Sequence, residues 1–149
     1  MRYQSTAASC GPMALRNGLR ARGIERSEDE LAVLSGCTVD GTGARGMIAA
    51  LRHIAADHPE VTPCVLSEGR PDIALLRLLE AHRCGNVVIL SVDRDEHWVV
   101  SFGTLGSGAG TMLHVADSQD GELIRHYSPG GLVERWRGQG RRAFYGIIV

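Results

Sequence analysis

The hydrophobic period of this 149-residue chain changes partway along, and that change constrains the fold more than any other feature. Up to about residue 83, apolar residues recur at helical spacing; from residue 86 onward they come in short runs of β-formers. Cys10 to Arg22 is rich in helix formers, with Leu15 and Leu19 four apart. Ser27-x-x-Glu30 is a capping-box pattern ahead of Leu31, Val33 and Leu34, and Gly36 stops that helix. Ala44 to Ala56 gathers Met47, Ile48, Leu51 and Ile54 on one side. Val61 to Leu66 reads as a short strand. Pro71 then opens a helix through His82 that carries Ile73, Leu75, Leu76, Leu78 and Leu79.

The second half reads as strands over Asn86–Val92, His97–Phe102, Met112–Asp117, Leu123–Tyr127 and Ala143–Val149. Ser128-Pro129 caps a short helix with Leu132, Val133 and Trp136. Helices first and an antiparallel sheet afterwards is an α+β order, with the N-terminal helices packed on the sheet. No repeat or linker divides the chain, so one domain over 1–149 is expected.

Charge and composition remove several classes. Net charge is −1, against a dedicated nucleic-acid or anionic-membrane binder. No apolar run is long enough to span a bilayer, and MRYQSTAASCGP has no apolar core of signal-peptide length. A cytoplasmic location is the expectation. Every basic residue is Arg, which excludes Schiff-base and P-loop chemistry, both of which need Lys. Cys10, Cys37, Cys64 and Cys84 form no CxxC pair, so a zinc ribbon or thioredoxin-type motif is absent. Cys37, Cys64 and Cys84 have mostly apolar sequence neighbours and read as small core residues.

Cys10 stands apart. Pro12 is compatible with a helix only in its first turn, because it lacks an N–H and its ring blocks the preceding turn. A helix starting here therefore carries Cys10 at its N-terminus, where free N–H groups and the positive dipole end favour a thiolate. A buried, inert Cys is the alternative from this feature alone.

A cysteine nucleophile needs a base. His53, His58 and His82 sit on helices or helix ends, where a solvated His is the ordinary explanation. His97 begins one strand and Asp117 ends the next. A hairpin with a symmetric loop centred on Ser107 puts His97 directly opposite Asp117, on the same face and within hydrogen-bonding range. The carboxylate would then fix the ring's tautomer and stabilise imidazolium. A slip of one residue would separate the pair, and a surface charge pair is the plainer alternative. Gln4 offers a side-chain amide for an oxyanion. By strand alternation His114 faces away from His97, which argues against a metal site between them.

Gln4-x5-Cys10-Gly11-Pro12, then His97-Trp-Val-Val, then Val115-x-Asp117, then a helix with Trp136, resembles the papain-like cysteine peptidases that process bacteriocin and related double-glycine leader peptides. The ordered set spans nearly the whole chain. In that family the domain is usually the N-terminal cytosolic part of an ABC exporter. The resemblance implies a papain-like fold with Cys10 as nucleophile, His97 as general base and acid, Asp117 as orienting residue and Gln4 as oxyanion donor, with no cofactor. It also implies a peptide substrate, such as a double-glycine leader. Two positions depart from the family: Ser9 where Asp is common, and Ser118 where Pro is common. The chain has no ATPase motif, so a free-standing domain beside a separate exporter is expected. The same machinery would serve a deamidase or acyltransferase, and the fold without turnover would serve as a peptide-binding module.

Two further features read as structural. Gly103 to Gly110 is glycine-rich but matches no phosphate-binding pattern, and reads as a hairpin connection. Arg135, Arg137, Arg141 and Arg142 cluster around Gly138 and Gly140 and read as a solvated basic face.

Overall fold

The computed structural model describes residues 1, 3–119, 123–139 and 143–149. In chain order the elements are α1 (Cys10–Ala21), α2 (Glu28–Ser35), α3 (Ala44–Ala55), β1 (Cys64–Glu68), α4 (Pro71–Arg83), β2 (Val88–Val92), β3 (His97–Leu105), β4 (Met112–Ala116), β5 (Ile124–Tyr127), α5 (Pro129–Trp136) and β6 (Phe144–Ile148). A 3-10 turn, Ala7–Ser9, leads directly into α1.

Local chemistry sets the helix ends. Ser27 Oγ accepts from the Glu30 N–H at 3.1 Å, and Gly36 closes α2 in the left-handed region at φ 61°. Ser128 Oγ caps α5 by accepting from the Gly131 N–H, with Pro129 as its first helical residue.

The six strands form one antiparallel sheet in the order β1-β6-β2-β3-β4-β5. Helices cover both of its faces, not one. Leu15 and Leu19 of α1, Leu31 of α2 and Met47, Leu51 and Ile54 of α3 pack with Ile89, Trp98, Val100 and Ile147. Ala74 and Leu78 of α4 and Leu132 and Trp136 of α5 pack with Val88, Leu90, Val99, Val115 and Phe144 on the opposite face. All five residues of β2 are buried for this reason. The strand at 64–68 begins three residues later than its sequence pattern suggests, and lies at the sheet edge.

Three expectations from the sequence change here. Of the four cysteines only Cys10 is buried; Cys37 is half-buried, and Cys64 and Cys84 are exposed. Cys64 opens an edge strand and Cys84 caps α4, so apolar neighbours in sequence do not cover them. His82 is not a solvated helix residue. Its Nδ1 meets the Asn86 carbonyl at 3.0 Å and its Nε2 meets Ser101 Oγ at 2.9 Å, tying α4 to β3. The β3–β4 register also differs, as described below. Gly140, Arg141 and Arg142 of the basic cluster lie outside the described residues.

Candidate active site

Cys10 is the first residue of α1 and 6% exposed. Its position depends on Gly11. A Cβ there would lie 2.6 Å from Thr42 Cβ, so only glycine lets the helix tip meet the turn before α3 this closely. That turn is itself pinned to the sheet, because the Trp98 indole N–H donates to the Thr42 carbonyl at 2.8 Å.

His97 and Asp117 meet through an irregular hairpin. Val100 pairs with Ala116 and Ser101 with Val115, so Asp117 comes level with Val99 and not with His97. Nearer the turn, Gly103 pairs with His114 and Thr104 with Leu113. One extra residue on β3, Phe102, separates these two registers as a β-bulge. Without it the odd offset would send His97 and Asp117 to opposite faces. With it they share a face as diagonal neighbours, and His97 Nε2 lies 2.7 Å from Asp117 Oδ1. Both residues are buried, at 4% and 1% exposed. His114 lies on the other face, against Phe102 and His126.

With Nε2 committed to Asp117, the remaining ring nitrogen is Nδ1, which is buried and has no hydrogen-bond partner among the described residues. The Cys10 thiol is close enough for the two groups to shift each other's proton affinity. Burial pushes the Cys10 thiol up. His97 and the backbone N–H groups of Trp98 and Gly11 outweigh it, and the net shift is downward. Burial pushes His97 down, but Asp117 and Cys10 raise it to about 9. Both shifts run toward a thiolate beside an imidazolium.

Asp117 is held by more than the imidazole. Its Oδ1 also accepts from the Gln119 N–H at 3.1 Å, and its Oδ2 is 2.7 Å from Arg135 Nη1. Burial alone would raise its pKa, yet His97, the Gln119 N–H and Arg135 hold it far below the usual carboxylate range. Arg135 is fixed in turn by Asp93, through Nε to Oδ1 at 3.0 Å and Nη2 to Oδ2 at 2.8 Å, and by Tyr127 Oη at 2.8 Å. Sequence reading placed Arg135 on a solvated face. Its partners are brought by β2, β4 and β5 packing, and no local spacing announces them.

Gln4 lies on the strand-end side of Asp117 but does not aim its amide at the thiol. Its backbone N–H donates to the Ser118 carbonyl, and its Oε1 accepts from Ser118 Oγ at 2.8 Å. Its Nε2 donates to the carbonyls of Thr6 at 2.8 Å and Ala7 at 3.2 Å. Of the four candidate residues, Cys10, His97 and Asp117 are therefore brought together, and Gln4 is tethered to the neighbour of the last.

No protein-family model matches the chain. Over 91 residues it is 38% identical to an uncharacterized protein of Methanothermobacter marburgensis, a match that spans 60% of this chain and 62% of that one. Solved structures align over nearly all of it. The peptidase domain of Streptococcus ComA, a bi-functional ABC transporter involved in a quorum-sensing pathway, superposes with a TM-score of 0.74 at 18% identity, covering 99% of this chain and 96% of that one. A double-glycine motif protease from an AMS/PCAT transporter, solved with its leader peptide, gives 0.68 at 15% identity over 99% and 86% of the two chains. The peptidase domain of Streptococcus mutans ComA gives 0.66 at 17% identity over 100% and 98%. Among the described residues no helix is long and apolar enough to cross a membrane. The chain has the α+β fold of these transporter peptidase domains.

Proposed function

We propose that the protein is a cysteine peptidase in which Cys10 attacks a peptide carbonyl. The observation that carries this reading is the buried His97–Asp117 contact at 2.7 Å, with the free ring nitrogen left for a thiol whose pKa is lowered. Thiolate attack yields a tetrahedral oxyanion. His97 imidazolium protonates the leaving amine, and the thioester is then hydrolysed by water that the neutral ring deprotonates. Asp117 keeps Nε2 protonated throughout, so Nδ1 faces the chemistry.

Gln4 is the proposed oxyanion donor. In the free protein its two amide protons serve Thr6 and Ala7 carbonyls, so substrate binding must exchange one of these bonds for the oxyanion. By likeness to a protease solved with its leader peptide, the proposed substrate is a double-glycine leader cut for an ABC exporter, in the cytoplasm.

The test is mass spectrometry of candidate leader peptides incubated with the parent protein and with Cys10→Ala. Two fragments that together equal the peptide plus one water, absent with the variant, are expected. An intact peptide altered in mass indicates deamidation or transfer. Tight binding with no covalent change indicates a peptide-binding module. Gln4→Ala should lower kcat by about 100–1,000-fold if its amide holds the oxyanion.

A further inference from the structure

The cleft at Cys10 is strongly one-sided in charge. It has a volume of about 470 Å³, and Asp40, Asp95 and Glu96 line it together with Cys10, Thr42 and Trp98. Among the described residues no Arg lines it, and none of the three carboxylates takes part in an ion pair. A second hollow of about 260 Å³ shares Thr42, Asp95 and Trp98 with the first and adds Tyr145. Trp98 and Tyr145 meet edge to face there, with ring centroids 6.2 Å apart.

Asp95 is a fixed carboxylate, not a free-swinging one. It accepts from Ser91 Oγ at 3.0 Å and from the Gln139 N–H at 3.0 Å. Neither donor neutralises its charge. An anchored carboxylate beside two aromatic rings is the chemistry that receives a guanidinium or an ammonium. Carboxylates of one sign in a cleft also concentrate cations there.

Resting on the peptidase reading above, we propose that this cleft takes peptides with an Arg or Lys side chain flanking the double glycine at the bond that Cys10 attacks. The cationic group sits between Asp95 and the Trp98–Tyr145 pair. Asp40 and Glu96 supply the field that draws it in.

Charged thiol reagents test the cleft without any peptide being cut. Cys10 is labelled with a trimethylammonium and with a sulfonate methanethiosulfonate, each site being read by peptide mapping, and the ratio of rates is divided by that at exposed Cys84. At low salt the normalised ratio should favour the cation by roughly tenfold or more and shrink as salt is raised. It should fall towards one in Asp95→Asn and in the doubly substituted Asp40→Asn, Glu96→Gln protein, whose altered side chains are exposed. A parent ratio equal to that of Cys84, or one unchanged in both variants, overturns cation selection. Peptides differing only by Arg, Gln or Glu at the position flanking the double glycine should rank in that order, with about tenfold between Arg and Gln. Equal cleavage of all three overturns the substrate assignment. Cation-selective labelling with no peptide cut overturns the peptidase reading and leaves the cation-selecting cleft standing.

Discussion

Arg135 links the Asp117 carboxylate to the rest of the molecule, with its guanidinium between Asp117 and Asp93. Its positive charge competes with the imidazolium for Asp117. Arg135→Met should therefore let the Asp117 pKa rise and move that of His97 further up, because the carboxylate is left to one partner. The alkaline limb of the pH–activity profile should shift to higher pH. Looser positioning of the ring should cost up to about 100-fold in kcat. A loss of activity with no movement of the limb would mean that Arg135 acts on stability alone. Gly11 has the opposite kind of role, since it contributes by lacking a side chain. Gly11→Ala drives a methyl into Thr42 and should destabilise by about 1–3 kcal/mol, read from urea midpoints, while slowing alkylation of Cys10. Unchanged stability and labelling would show that the turn before α3 yields freely.

The helices were legible because their signals are local. Ser27 and Gly36 bound α2, Pro71 opens α4, and Ser128-Pro129 opens α5, all within a few residues of the atoms they satisfy. Cys10 at a helix tip follows from Pro12 for the same reason. The hairpin carrying His97 and Asp117 was legible only in outline. A symmetric loop put the two side by side, whereas β3 runs on to Leu105 and Phe102 bulges out. Two departures from the simple register compensate, and the shared face survives. What could not be read depends on packing between distant elements: α4 and α5 on the second face, Arg135 on Asp117, and Gln4 tied to Ser118. Deleting Phe102 should separate the pair without removing either residue. Activity should vanish while the far-ultraviolet spectrum of an α+β fold remains. Retained activity would show that the bulge does not set the register.

Proton affinities in the site bear on the stability of the whole molecule. His97 is raised from 6.5 to about 9, so its contribution is complete below 6.5 and lost as pH rises through about 9. Asp117 is lowered from 3.8, so its contribution is complete above 3.8 and lost as pH falls. Cys10 is lowered from 9.0, so in the proposed thiolate–imidazolium form the folded protein carries on His97 the proton that the unfolded chain carries on the thiol between 6.5 and 9. Urea midpoints should therefore be highest and nearly level between about pH 6.5 and 9 and decline as pH falls. Cys10→Ala removes that offset and should uncover a decline as pH rises from 6.5 towards 9, and a level profile in this variant would contradict the paired shifts. The proposed thiolate–imidazolium pair between the helix layer and the sheet is tested by the rate of Cys10 alkylation with iodoacetamide as a function of pH. In the parent protein the rate should stay high well below the pH at which Cys84 begins to react, and it should lose that advantage in His97→Ala. A Cys10 that follows the same pH curve as Cys84 in both proteins would contradict the pair, and the peptidase built on it.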